Sequence, residues 1–145
     1  MKRLTIPAVF AAVLVAAVVT AVAACGGSGA SGHTLDGTSW RLSGWTLNSL
    51  APDQFTITAS FAGGRISGSS AVNTYGGTYS TGSGGAFAVG QLASTEMAGP
   101  EPAMRAEGAY MTLLQQARSC KVVGDTLTLY DGNGNESLIF AHANL

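Results

Sequence analysis

Two turns near the C-terminus constrain this 145-residue chain more than any other feature. Gly124-Asp125 suits a two-residue hairpin loop, and Asp131-Gly132-Asn133-Gly134-Asn135 suits a second turn. The first sets Val122 opposite Leu127 and Cys120 opposite Leu129. The second, read as a four-residue loop, sets Leu129 opposite Leu138 and Leu127 opposite Phe140. All six residues then share one face. A slip of one residue would turn that whole apolar set to solvent. Two independent turns therefore agree on one register.

Upstream, short alternating segments continue the pattern. Trp40 and Leu42 share a parity that Trp45 and Leu47 reverse, which predicts a bulge near Gly44. Phe55, Ile57, Ala59 and Phe61 alternate with polar residues, as in a half-buried strand. Gly63-Gly64 turns the chain, and Arg65 to Val72 returns with Ile66, Gly68, Ser70 and Val72 on one parity. Thr78–Ser80 and Ala86–Val89 flank a glycine-rich loop and predict another hairpin. One helix is expected over about Glu101 to Arg118, with Pro100 and Pro102 in its first turn, where missing amide protons cost little. Met104, Glu107, Met111 and Leu114 form its stripe, with Tyr110 beside them. The fold class is mainly β: a small antiparallel barrel plugged or capped by one α-helix.

The N-terminus reads as an address. Lys2 and Arg3 precede the uncharged, apolar stretch Leu4 to Ala24, as in a signal peptide. Val22-Ala23-Ala24-Cys25 resembles the bacterial lipobox, which implies cleavage before Cys25 and lipidation of its thiol. A retained membrane-spanning helix is the alternative. The expected organisation is a signal peptide over 1–24, a lipidated Cys25 with a Gly/Ser tether over 25–34, and a folded domain over 35–145. The domain would then sit on the extracytoplasmic face of the cell membrane, with the lipid bilayer as its first partner. Seven Lys and Arg against eight Asp and Glu, without a basic cluster, exclude a nucleic-acid binder.

The folded part resembles the META-domain family, of which the HslJ group of lipoprotein-like proteins is typical. Leu35-Asp36-Gly37-Thr38-Ser39-Trp40-Arg41-Leu42 is similar to its opening motif. Ile66-Ser67-Gly68, then Asn73-Thr74-Tyr75-Gly76-Gly77-Thr78-Tyr79, then Ser94-Thr95-Glu96-Met97-Ala98 follow in the family's order. Met104, Glu107, Tyr110, Met111 and Leu114 match its helix. The resemblance implies a barrel of lipocalin-like topology and no assigned activity. Many members carry cysteines where this chain has Val72 and Gly99, which implies a dispensed disulfide. Cys120 lies at neither position and reads as a small buried hydrophobe.

The structural candidates are Trp40, Asn73, Tyr75, Thr95, Met97 and Glu107. Glu107, on an apolar stripe, reads as a pin accepting hydrogen bonds from backbone, Asn73 or Thr95; a general base is the alternative. Asn73 reads as a turn residue, a place where Asn often takes left-handed geometry, with ligand contact as the alternative. Asp131 to Asn135 starts like a calcium loop but has Glu136 and His142 at its sixth and twelfth places, so a turn is favoured. His33 and His142 have no ligand-spaced partners. Trp40 and Trp45 read as core, although either could line a barrel mouth. The expectation is a non-catalytic envelope lipoprotein, without cofactor or metal, that binds an envelope protein partner. The alternative is a barrel holding a small apolar or amphipathic ligand.

Overall fold

The computed structural model describes residues 23–24, 34–47 and 49–144. Cys25, His33 and most of the leader and tether lie outside the described residues. The strands are β1 (Ala23–Ala24), β2 (Thr38–Trp45), β3 (Thr58–Ala62), β4 (Arg65–Ser69), β5 (Thr74–Thr81), β6 (Phe87–Val89), β7 (Ala93–Ser94), β8 (Ser119–Val123), β9 (Thr126–Tyr130) and β10 (Glu136–His142), with helix α1 (Glu101–Gln116) between β7 and β8. All pair antiparallel, in the order β1-β8-β9-β10-β2-β3-β4-β5-β6, with β7 on β5. Ala86 bridges Ser119, so β6 meets β8 and the meander nearly closes into a barrel.

The C-terminal register is the one its turns dictate. Val122 pairs with Leu127, Cys120 with Leu129, Leu129 with Leu138 and Leu127 with Phe140. All six are buried. The second loop differs from expectation. It has five residues, because Tyr130 pairs with Glu136, and a bulge at Ser137 restores the register. The buried Ser137 hydroxyl there donates to the Leu129 carbonyl. On the other edge of β10, Ile139 pairs with Gly44 and Phe140 with Leu42, leaving Ser43 as the extra residue of a bulge. That bulge reconciles the two parities of Trp40, Leu42 and Trp45.

Three boundaries differ from the sequence pattern. β3 starts at Thr58, because Pro52–Gln54 form a 3-10 turn ahead of it. β4 ends at Ser69 rather than Val72. Ala71 adopts φ 89°, outside the extended region, and Ser70 and Asn73 close a turn through Ser70 N–H to Asn73 carbonyl at 2.8 Å. The helix stops at Gln116, and Pro100 caps it rather than lying within its first turn.

The buried face of α1 also differs. Ala106, Glu107, Tyr110 and Leu114 are buried, while Met104 is 39% exposed and Met111 is half-buried. The stripe is rotated toward the side that carries Tyr110. Tyr110 meets Tyr75 on β5 edge to face at 5.5 Å and Phe140 on β10 at 6.4 Å. Those two strands lie four places apart in the strand order, on opposite walls. The helix therefore plugs one end of the barrel.

The interior is filled by side chains. Phe61, Ile57, Ile66, Tyr110, Leu114, Leu127, Leu129, Leu138 and Phe140 are fully buried. Among the described residues, every buried member of this cluster lies between Leu35 and Phe140. Gly68 has its place for a packing reason: a Cβ there would run into the Thr58 backbone on β3. Phe140→Ala should cost about 3–5 kcal/mol of unfolding free energy. Val123→Ala, at a 55% exposed position, should stay within about 0.5 kcal/mol. Urea unfolding of the two variants checks both values.

Candidate functional site

The polar residues of the family-like motifs converge where α1 meets the turn between β4 and β5. Glu107 is one helical turn before Tyr110, so both point into the barrel end. Its Oε2 accepts from the Asn73 amide at 2.8 Å, the Ser70 hydroxyl at 2.8 Å and the Val72 amide at 3.3 Å. Its Oε1 accepts from Asn73 Nδ2 at 2.7 Å. Burial pushes the carboxyl up, but the bonds from Asn73, Ser70 and Val72 outweigh it and hold the group below its ordinary value. A carboxylate held ionised with four donors on it is a poor proton acceptor.

Asn73 is the hub of the turn. Its Oδ1 accepts from the Met97 amide at 2.7 Å and from the Thr95 hydroxyl at 2.9 Å. Its Nδ2 reaches the Met97 carbonyl at 3.2 Å as well as Glu107. The Thr95 hydroxyl in turn accepts from the Thr74 amide at 3.2 Å. One side chain thus ties the β4–β5 turn, the segment before the helix and the helix itself together. Asn73 does not take the left-handed geometry expected of it. Ala71 does, because the turn places its positive φ two residues earlier.

Below this cluster lie the two buried tyrosines. Tyr75 OH lies 2.8 Å from the Thr58 carbonyl and 2.6 Å from Tyr110 OH. Tyr75 must donate to the carbonyl, which makes Tyr110 the donor to Tyr75. Burial raises both phenols far above their ordinary range, so they are neutral hydrogen-bonding groups. The sequence reading singled out Tyr75 but not this partnership, nor Ser70 as a Glu107 partner. Two signals were available: Ser70 is a polar residue at a core parity, and Tyr110 lies three residues from Glu107.

A cleft of about 320 Å³ opens over the cluster, lined by Asn73, Thr95, Glu96, Met97, Met104 and Glu107. Met97 is 63% exposed at its rim and is held through its backbone, not its side chain. Trp40 lies elsewhere, buried in the core. Its Nε1 donates to Thr38 Oγ1 at 2.7 Å and its ring meets His142 edge to face. Thr38 Oγ1 also donates to the Leu35 carbonyl, and Asp36 accepts from the Gly63 amide, so the opening motif is a structural corner. Asp131 Oδ1 accepts from the Asn133 and Asn135 amides at 2.8 and 3.0 Å, which turns its carboxylate inward on its own loop.

These motif residues and the barrel meet their match in known proteins. A profile of the META domain matches residues 33–144. The chain belongs to the META-domain family. Among solved structures, this META domain is similar to a protein from Burkholderia xenovorans determined by NMR. The two share 30% identity at a TM-score of 0.65, over 77% of this chain and 85% of that one. A DUF4847 family protein from Bacteroides vulgatus, at 13% identity and a TM-score of 0.57, covers 77% of this chain and 96% of its own; it shares the fold. The comparison with curated proteins returns no match.

The two positions that carry cysteines in many relatives are neighbours here. A Cβ on Gly99 would lie 3.4 Å from Val72 Cβ and 2.7 Å from its nearer methyl. That separation is close to the roughly 3.5–4.5 Å of a disulfide, and the Val72 methyls occupy the room of the second sulfur. Val72→Cys with Gly99→Cys should form the bond. The thermal midpoint should rise, by the equivalent of about 3 kcal/mol, and fall back with reductant.

Glu107 gives a second prediction. Glu107→Gln keeps a carbonyl oxygen for the donors on Oε2 but turns an amide toward Asn73 Nδ2. It should cost about 1–3 kcal/mol, and Glu107→Leu, which strands those donors, clearly more. The folded pKa is depressed, so the carboxylate's stabilisation is full above its unfolded value, near 4.5, and is lost as pH falls through the lower folded value. Glu107→Leu should flatten that acid limb. Urea midpoints between pH 6 and pH 3, an interval chosen to bracket about 4.5, measure it.

Proposed function

We propose that this META domain is a non-catalytic binding module held at the outer face of the cell membrane through lipidated Cys25, acting on an envelope protein partner. The observation that carries the reading is the filled interior. Phe61, Tyr110 and Phe140 occupy the space where a lipocalin-like barrel would hold a ligand. Binding through the surface is then the remaining way for the domain to act. The motif residues support the same view, since Asn73, Thr95 and Glu107 spend their polar atoms on one another.

The anchoring half rests on the sequence. Val22-Ala23-Ala24-Cys25 follows a charged start and an apolar run, and Gly26 to Thr34 supplies a tether. Nine such residues have a reach of roughly 15–20 Å. Diacylation plus a further chain would hold the domain firmly, where a single chain would not. An HslJ-like role in envelope stress fits a surface-acting module of this kind.

Metabolic labelling with an alkynyl palmitate analogue tests the anchor. The wild-type chain should carry label and partition to membranes. Cys25→Ser should lose the label and leave the membrane fraction. Label that persists in Cys25→Ser would overturn this reading. Native mass spectrometry of the domain from its own envelope tests the filled barrel, with the bare protein mass expected.

A further inference from the structure

The barrel has one seam, between β6 and β8, and β6 covers only part of it. The Gly124-Asp125 loop makes Val123 and Thr126 the hydrogen-bonded closing pair of the β8–β9 hairpin. Alternation then turns the backbone groups of Val122 and Cys120 away from β9, toward the seam. At the helix end β6 fills it. Ala86 bridges Ser119, Phe87 N–H donates to the Arg118 carbonyl at 3.0 Å, and Gly85 lies against the Cys120 carbonyl. From Lys121 to Val123 the strand on that edge is β1 instead. Ala23 pairs with Val122 and Ala24 with Lys121, antiparallel.

Those two alanines belong to the leader. Cleavage before Cys25 would remove them from the mature chain and expose the edge. We propose that the β8 edge at Lys121–Val123 is a strand-acceptor site. Ala23–Ala24 fill it in the precursor, and an extended juxtamembrane segment of another envelope protein fills it in the mature lipoprotein. The proposal rests on the leader reading above and names the surface through which the module acts.

Three observations argue for that occupant. The edge already holds a strand, which shows that its backbone groups accept one in antiparallel register. Thr34 and Val122 line one cleft of about 480 Å³, so the acceptor stretch and the end of the tether lie at the same end of the barrel. On the leader reading, that end lies within the tether's reach of the bilayer, roughly 15–20 Å. The tether itself, Gly26 to Thr34, is rich in Gly and Ser and is a poor strand former. Above the acceptor stretch, a cleft of about 360 Å³ bordered by Gly84, Gly85, Lys121 and Gly134 continues the slot, with room for backbone to approach closely.

The test uses residues 25–145 with Cys25→Ser, whose core lies wholly between Leu35 and Phe140. The probe is an end-capped peptide of residues 20–24, Thr-Ala-Val-Ala-Ala. Amide hydrogen exchange is followed residue by residue by NMR. The Val122 amide should exchange rapidly alone and at least about tenfold more slowly with peptide. A peptide N-methylated at the residue corresponding to Ala23 should have no effect, since it loses the backbone donor that faces Val122. A Val122 amide already protected without peptide would overturn the proposal. Protection that persists on dilution would assign the edge to the tether, and protection that is lost would assign it to a second copy. No slowing at millimolar peptide would also overturn it. Palmitate labelling decides the anchor separately: peptide protection in a chain whose Cys25 takes no label would retain the acceptor edge and reject the leader reading.

Discussion

The Glu107 carboxylate is the joint on which the rest of the molecule hangs. The helix is joined to the sheet by short connections at both ends but shares no ladder with it. Buried Tyr110 and Leu114 pack it over the barrel end, and one ionised side chain, accepting from Ser70, Val72 and Asn73, pins it to the β4–β5 turn. Charge-assisted bonds of this kind are roughly twice as strong as neutral ones. They also fix the direction in which Tyr110 enters the core. With Tyr110 in place, its hydroxyl reaches Tyr75, and Tyr75 reaches the Thr58 carbonyl on β3. A chain of polar contacts thus runs from the helix through the buried barrel end to the opposite strands. Each member is satisfied, which is the condition under which a buried network rigidifies a fold.

The same joint explains why the family-like motifs are so polar. A catalytic carboxylate needs an open lone pair and a pKa near the working pH. Glu107 has its donors in place and sits below its ordinary range. Asn73 and Thr95 are similarly occupied. These polar atoms are spent on holding the turn. The strained Ala71, at φ 89°, belongs to the same turn. It allows Ser70, Val72 and Asn73 to aim their donors at one oxygen.

Much of this was legible from the chain because the barrel obeys local rules. The hairpin at Gly124-Asp125 and the bulge near Gly44 follow from parity and turn chemistry alone, and the structure has both. The misreadings occur where tertiary contacts override local pattern. Val72 continues the alternation of β4 on paper, but the pull of Glu107 on the 70–73 backbone ends the strand at Ser69. Met104 and Met111 look like core by spacing, but Tyr110 is larger and wins the interior. Asn73 has the propensity for left-handed geometry, but its side chain is needed as a bridge to Thr95, Met97 and Glu107. Propensity assigned the right turn and the wrong residue within it. The tyrosine pair was invisible for a different reason: it joins residues 35 apart that no periodicity relates.

The position of the seam is a consequence of topology. Strands joined by tight turns close their ladders along their whole length. β6 and β8 are not so joined, because between them the chain first adds β7 to β5 and then makes α1. Their contact is confined to the end where the helix delivers the chain back at Ser119. That end is plugged by α1, so an added strand there would meet the helix. The other end, at Lys121–Val123, carries no such obstacle among the described residues, and its Val122 shares a cleft with Thr34. Natural sheets blunt an exposed edge with charge, brevity or a covering segment. Here only Lys121 supplies charge, and the covering segment is the two-residue β1. In a fold that is otherwise nearly closed, the backbone groups of that edge depend on a two-residue cover.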